Sequence, residues 1–439
     1  MTERSSGQPA RRAALSLLAG VARDGRALDE LLAEAHGAGG ALARLSLRDR
    51  AVARAIATTA LWRHGQIAAL LAAHLETALP PRAGPAGLIL ALATAELVFL
   101  KTPAHAAVSA AVALAKADRQ ARHFAGLINA VLRRVAETGA AAAHDQDAAR
   151  LNTPAWLWQS WTAAYGAAAA RAIATAHLAE PPLDLSLRNE GEIAVWAERL
   201  GARRLATGSL RLSDAGPVAA LPGFAEGAWW IQDAAAALPA RLLADVTGRR
   251  VLDLCAAPGG KTAELAARGA EVTAVDRSEK RLVRVGENLA RLGLAAQLIA
   301  ADAVRWRPPE PFPLVLLDAP CSATGTIRRH PDIALLKGPA DVAKLAALQA
   351  RLLAAALEMT APGGILVYCV CSLEPDEGER QIARLLVDGA PAARMPVDPR
   401  EIGGLTQAVT PAGDLRTLPS FWAEEGGMDG FFAARLRRN

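Results

Sequence analysis

The stretch Arg250-Val251-Leu252-Asp253-Leu254-Cys255-Ala256-Ala257-Pro258-Gly259-Gly260-Lys261-Thr262 decides how the chain is built. Arg250 to Cys255 reads as a short apolar strand, proline and paired glycine then break it, and Ala263 to Arg268 reads as a helix. A glycine turn between strand and helix lets a ligand approach the backbone at the helix N-terminus. The turn is neither GxGxxG nor a Walker loop, which disfavours dinucleotides and nucleoside triphosphates.

Working outward, strand and helix alternate from Gly227 to the end, the pattern of a parallel, doubly wound sheet. The second strand, Glu271 to Val275, ends at Asp276, 17 residues beyond Gly259, where a carboxylate accepts hydrogen bonds from ribose hydroxyls. A third strand, Ala296 to Ala300, leads to Asp302, placed to meet an adenine amine. These residues describe a nucleoside site without phosphate machinery, as S-adenosylmethionine requires. The chain has 6 lysines against 43 arginines, so Lys261 at this turn stands out as a group that orients cofactor or substrate.

The fourth strand, Pro313 to Leu317, delivers Asp318-Ala319-Pro320-Cys321-Ser322, and the fifth, Gly364 to Val370, delivers Cys371-Ser372. Ligands of open sheets bind at the carboxyl ends of strands, so Asp318, Cys321 and Cys371 are expected to face one crevice. Free cysteine is usually a small buried hydrophobe, a description that suits Cys255 and Cys369 better than Cys321 and Cys371. Two thiols and a carboxyl match one demanding reaction. Carbon 5 of a pyrimidine is a poor nucleophile until a thiolate adds to carbon 6, while an acid supports charge at N3. After methyl transfer a base must remove the carbon 5 proton so that the thiol leaves. The chemistry does not say which thiol plays which part. The target base must be unpaired or flipped out of its stack.

Upstream, residues 10 to 140 carry helical periodicity with almost no strand signal. Leu79-Pro80-Pro81 and Thr102-Pro103 divide them into a bundle of several helices. The opening, Met1 to Arg23, has a basic pair before an apolar run but continues at once into amphipathic pattern, so it reads as a first helix rather than a leader. The run Gly84 to Phe99 contains Pro85 and Glu96 and reads as a buried helix, too short to span a bilayer. Ala140 to Ala149 reads as a linker or weak helix. Trp156, Trp158 and Trp161 sit on a short helix, where packing against a neighbouring domain is preferred to stacking on bases. Short alternating segments between 183 and 221 predict a small α+β subdomain.

At 439 residues, 52% hydrophobic and 21% charged, the chain is long enough for two or three domains and is not disordered in composition. Its net charge of +5 is uneven: 17 basic and 10 acidic residues in 1–140 give +7, which leaves −2 for the remainder. Lys116, Arg119 and Arg122 are read as one helix face, with Arg133 and Arg134 close behind, a surface suited to RNA phosphates. A solvated helix face accounts for the same spacing. The four cysteines form no disulfide ladder, the 8 histidines are scattered, and no spacing calls for zinc. A soluble cytoplasmic protein without metal is expected.

Cys255-Ala-Ala-Pro-Gly-Gly-Lys261, Asp318-Ala-Pro-Cys-Ser322 and Cys371-Ser372 resemble the successive motifs of RNA 5-methylcytosine methyltransferases of the Nop2/Sun/RsmB type. Leu127-Ile-Asn-Ala-Val-Leu-Arg-Arg134 is similar to the NusB-like domain of the bacterial small-subunit ribosomal RNA methyltransferase B group, as is the ending Asp429-Gly-Phe-Phe432. The resemblance implies that Cys255, Ala256, Ala257, Pro258, Gly259, Gly260, Lys261, Asp276, Asp302 and Asp318 form the S-adenosylmethionine pocket. It further implies that Cys371 is the nucleophile and that Cys321 assists product release. One departure is Val370, where the family usually carries threonine.

The expected architecture is multidomain: a NusB-like all-α RNA-binding bundle in 1–140, a linker and small α+β RNA-binding subdomain in 141–226, and an α/β Rossmann-like methyltransferase domain in 227–439. The expected partner is small-subunit ribosomal RNA, acted on by a monomer. Transfer RNA methylated by the same chemistry is the alternative substrate. The alternative class is a NusB-like RNA-binding factor without catalysis, which the intact Asp318, Cys321 and Cys371 oppose.

Overall fold

The computed structural model describes residues 7–37, 39–213 and 215–439. Its first part is helical, with α1 (Gln8–Ala22), α2 (Leu28–His36), α3 (Leu47–Trp62), α4 (His64–His74), α5 (Ala86–Thr94), α6 (Ala104–Ala117), α7 (Ala125–His144), α8 (Ala148–Leu151), α9 (Ala155–Tyr165) and α10 (Ala167–Ala176). The expected first helix is α1; Met1 to Ser6 lie outside the described residues. Apolar residues at helical spacing, such as Leu17, Leu18 and Val21 on α1 and Ile56, Ala57 and Ala60 on α3, share one core. Ser46 starts α3 by accepting from the Asp49 N–H at 3.1 Å.

The apolar run containing Glu96 is a buried helix, as its composition predicted, and the acid is accommodated by a partner. Arg11 grips Glu96 with two bonds, Nη2 to Oε1 at 2.6 Å and Nε to Oε2 at 2.9 Å. The tryptophans of α9 also pack, though within this helical unit. Trp161 is fully buried with its ring edge on His177, and Arg150 and Arg171 each lie 5.4 Å from the Trp158 ring centre.

Two compact units divide the chain: residues up to Leu178 with Ile327–Lys337 form one, and Ala179–Thr326 with Gly338–Asn439 the other. Within the helical unit, Ile327–Lys337 is held by backbone and side chain alike. The Leu28 N–H donates to Asp332 Oδ2 at 2.9 Å, Trp62 Nε1 donates to the Arg328 carbonyl at 3.2 Å, and His330 Nδ1 lies 3.2 Å from Asp29 Oδ2.

The basic cluster corrects one expectation. Lys116, Arg119 and Arg122 do not share a helix face, because α6 stops at Ala117 and Asp118 is extended. The Asp118 carboxylate accepts from the N–H groups of Gln120 and Ala121, both at 2.8 Å, which turns the chain into a short 3₁₀ segment. Lys116, Arg119 and Arg122 are nonetheless exposed, as are Arg133 and Arg134 on α7.

The second unit begins with a small antiparallel sheet of β1 (Leu183–Leu187), β2 (Arg203–Arg204), β3 (Leu210–Leu212) and β4 (Trp229–Ile231), ordered β2-β3-β1-β4. Leu185, Leu210, Trp196 and Trp229 form its core. The main sheet follows: β5 (Arg250–Leu254), β6 (Glu271–Asp276), β7 (Gln297–Ala300), β8 (Phe312–Asp318), β9 (Thr360–Val370), β10 (Ala392–Arg394), β11 (Leu415–Arg416) and β12 (Phe432–Arg438). Its order is β10-β12-β9-β8-β5-β6-β7, with β11 paired to β12. The five strands from β7 to β9 are parallel, as the alternation predicted, and the crossover at β5 places the sheet's switch point between β5 and β8.

The remaining strands run antiparallel, a feature that the strand and helix alternation did not announce. Phe432-Ala-Ala-Arg-Leu-Arg-Arg438 is too basic to read as an interior strand. It is one because Arg435 is buried against Glu401, with Nη1 to Oε1 at 2.7 Å. Side chains on the parallel strands alternate between two cores: Val251, Leu314, Leu316 and Val367 on one face, Leu252, Val315, Leu317 and Leu366 on the other.

Candidate active site

Three loops leave the carboxyl ends of β5, β8 and β9 and meet. The first is the glycine turn. Cys255 leaves β5 at φ +61°, a left-handed conformation that costs energy for any residue with a Cβ and recurs at functional loops. Gly259 caps the following helix, Gly260–Ala267, at φ +99°, and a Cβ there would lie 2.9 Å from Val285 Cγ1. Asp276, at the end of β6, is buried and braces this turn: it accepts from the Ala257 N–H at 3.1 Å and from the Ser278 N–H at 2.9 Å. Asp302, beyond β7, is exposed and accepts from the Val304 N–H at 3.0 Å.

Lys261 reaches from the turn to the second loop. Its Nζ lies 2.7 Å from Asp318 Oδ2 and 5.0 Å from the centre of the Phe431 ring. Burial is the strongest single influence and works against the ammonium charge, but the Asp318 carboxylate and the sulfurs of Cys369 and Cys371 together outweigh it and lift the lysine above its ordinary range. Lys261 is therefore a retained cation in a nearly closed setting.

Cys321 on the second loop and Cys371 on the third bring their sulfurs to 3.4 Å, and both are half-buried. The hydrogen bond to Cys371 and burial together push the Cys321 thiol well up. The loops are tied by their backbones: the Ala319 N–H donates to the Cys369 carbonyl at 2.9 Å, and the Gly325 N–H to the Cys371 carbonyl at 3.0 Å. Gly325 cannot carry a side chain, since its Cβ would stand 2.0 Å from the Gly430 carbonyl oxygen. This close approach brings in the Asp429-Gly-Phe-Phe432 segment, whose Phe431 forms the wall over Lys261.

Residues 240–437 match the family described as 16S rRNA methyltransferase RsmB/F, and residues 8–137 match the NusB family. The chain is 39% identical, over 417 residues and 90% of each protein, to ribosomal RNA small subunit methyltransferase B of Pseudomonas syringae pv. tomato. It belongs to the RsmB/F family. The corresponding protein of Xanthomonas campestris pv. campestris is 37% identical over 98% of both chains. The crystal structure of PH0851 shares the fold, with a TM-score of 0.77 at 20% identity over 98% of this chain and 99% of that one.

The RsmB/F site contains groups that the strand-end motifs did not single out. Asp253 is fully buried, its Oδ2 accepts from Thr262 Oγ1 at 2.6 Å, and its Oδ1 has no partner. Burial pushes its carboxyl up to about 7; the Thr262 hydroxyl opposes this and Asp318 adds to it. An acid inside an apolar strand was a visible signal. Cys369 is fully buried with its sulfur 3.5 Å from Asp318 Oδ1, and burial and that carboxylate raise its pKa. Cys255 is half-buried, and burial, Asp318 and Asp276 push its thiol up to about 12. Val370 is fully buried in the core with Phe432 and Ile382, against which Cys321 packs, so an aliphatic side chain suits this position.

Proposed function

We propose that this RsmB/F chain transfers a methyl group from S-adenosylmethionine to carbon 5 of a cytosine in small-subunit ribosomal RNA, through a covalent adduct with Cys371. The observation that carries the reading is the pair of sulfurs 3.4 Å apart beside the Asp318–Lys261 pair, at the carboxyl ends of adjacent strands. Dinucleotide or phosphate chemistry needs no such pair of thiols.

The residues at the switch point fit the cofactor. The turn at Gly259 puts backbone N–H groups at a helix start, Asp276 ends β6 and Asp302 follows β7, and Asp253 has a buried oxygen without a protein partner. Carboxyl groups around one lysine suit a ligand carrying a sulfonium and an ammonium. Cys255 to Lys261, Asp276, Asp302 and Asp318 would hold it, and when bound it supplies an electrophilic methyl group.

The chain's own groups do the rest. Cys371, as thiolate, forms a bond to carbon 6 of the cytosine, and the ring electrons move towards carbon 5 and N3. The Asp318–Lys261 pair supplies the proton or positive charge that N3 requires. Once carbon 5 bears its methyl group, Cys321, acting as its thiolate, takes the carbon 5 proton, the ring double bond reforms as the bond from carbon 6 to sulfur breaks and returns its electron pair to Cys371, and N3 gives back to Asp318 any proton it received. The assignment of nucleophile to Cys371 rests on the family resemblance; the geometry treats the sulfurs alike.

RNA is held chiefly by residues 1–140, with their excess of positive charge and the exposed Lys116, Arg119, Arg122, Arg133 and Arg134. Residues 141–226 add contacts from the small sheet, and 227–439 carry the chemistry. Bisulfite sequencing of total RNA with and without the gene tests the reading: one small-subunit cytosine should lose its mark. Loss confined to transfer RNA would move the substrate, and no loss anywhere would remove the activity.

A further inference from the structure

We propose that Glu377 is the positioning residue that sets the distance between the two thiols. This deepens the cytosine-5 reading and rests on it. Glu377 is fully buried, and its carboxylate meets four donors. Oε1 accepts from the Ser322 N–H at 2.9 Å and from Gln349 Nε2 at 3.0 Å, while Oε2 accepts from the hydroxyls of Ser372, at 2.6 Å, and Ser322. Oε1 faces two N–H groups and can only accept from them, while Oε2 faces two hydroxyls, so a single carboxylate joins all four groups.

The donors are what make the arrangement specific. Ser322 follows Cys321 and Ser372 follows Cys371, so one side chain grips the residue next to each thiol, and at Cys321 the peptide N–H itself. The two hydroxyls also lie 3.1 Å from each other. Glu377 is itself fixed to the sheet, because Tyr368 on β9 donates from its hydroxyl to the Glu377 carbonyl at 2.5 Å. Gln349 ties the same carboxylate to the second loop by donating also to the Pro320 carbonyl at 2.9 Å. Arg416 holds the third loop from the other side, with Nη1 2.5 Å from the Ser372 carbonyl. Glu377, Ser322, Ser372 and Gln349 are all fully buried. Its effect reaches the reaction only through the positions of Cys321 and Cys371, whose sulfurs must address two adjacent ring carbons in turn.

The test is Glu377→Ala, which removes all four bonds, in the full-length protein, assayed with small-subunit RNA and S-adenosylmethionine. Misplacing reacting groups by about 1 Å can cost about 100-fold in rate. We expect kcat to fall by about that factor, with KM for RNA and cofactor within about threefold of the parent and binding of S-adenosylhomocysteine retained. Release should slow more than attack, so the protein–RNA adduct should outlast that of the parent in a single turnover. A kcat equal to the parent's, or a loss carried wholly by KM, overturns the clamp. Should Glu377→Ala fail to fold, Ser322→Ala/Ser372→Ala removes the two hydroxyl arms and should show the same split; full activity there overturns the proposal as well. The parent protein separates the two levels of inference. If it forms no Cys371-dependent adduct, the cytosine-5 reading fails; if it does and the variants release it normally, only the clamp fails.

Discussion

The sulfur of Cys321 lies 3.4 Å from the sulfur of Cys371, although 50 residues separate them in the chain. The parallel register of β8 and β9 produces this. Asp318 pairs with Cys369, so Cys321 stands three residues beyond the pairing and Cys371 two, on loops leaving the same edge. The backbone bonds from Ala319 to Cys369 and from Gly325 to Cys371 keep the two loops in step. Their spacing is thus a property of the sheet edge, refined by side chains, and Asp318, the group proposed to act at N3, comes from the same strand end.

The buried pair between Arg211 and Asp184 should anchor the small sheet. Arg211 Nε and Nη2 each lie 2.7 Å from an Asp184 oxygen, and Asp184 also accepts from the Ala234 N–H at 3.0 Å. Removing one member leaves an uncompensated charge, so Asp184→Ala should destabilise the protein by about 3 to 5 kcal/mol. Denaturant unfolding checks this, and replacing both residues by apolar ones should cost less than replacing one.

Stability should carry a mark of Asp253. Its folded value near 7 exceeds the ordinary 3.8, so between those values the folded state holds a proton that the unfolded chain has released. Stability from this group therefore falls as pH rises from about 4 to about 7. Asp253→Asn should flatten that part of the stability profile, measured by thermal unfolding across the window. A slope unchanged by the substitution would mean that Asp253 is ionised in the fold.

Arg133→Glu and Arg134→Glu should weaken RNA binding without altering the chemical step. For every RNA phosphate that is no longer neutralised, the slope of log affinity against log salt should shrink by about 1. Titrations at several salt concentrations distinguish this from a solvated helix face, for which both affinity and slope would stay put.

The parallel half of the sheet was legible because strands buried on both faces are continuous apolar runs, and the motif residues follow directly at their ends. Asp318, Cys321, Cys371 and Lys261 fell together for that reason. The antiparallel strands were not legible: β12 alternates arginine with apolar residues, and its burial depends on Glu401, 34 residues away. Glu377 was equally hidden. Leu373-Glu-Pro-Asp-Glu377 carries three acids and a proline without apolar periodicity, and only the folded chain turns Glu374 and Glu377 inward. The misreading of Lys116, Arg119 and Arg122 was local, since spacing by threes looks helical until Asp118 ends the helix with its own side chain.

The most direct measurement is a denaturing gel of the protein incubated with small-subunit RNA and S-adenosylmethionine, comparing Cys371→Ala with Cys321→Ala. With Cys371 as the nucleophile, Cys321→Ala should accumulate a covalent protein–RNA band that turns over slowly, and Cys371→Ala should show neither band nor methylation. A band formed by Cys371→Ala and absent from Cys321→Ala would reverse the two thiols, and methylation surviving in Cys371→Ala would contradict the covalent mechanism itself.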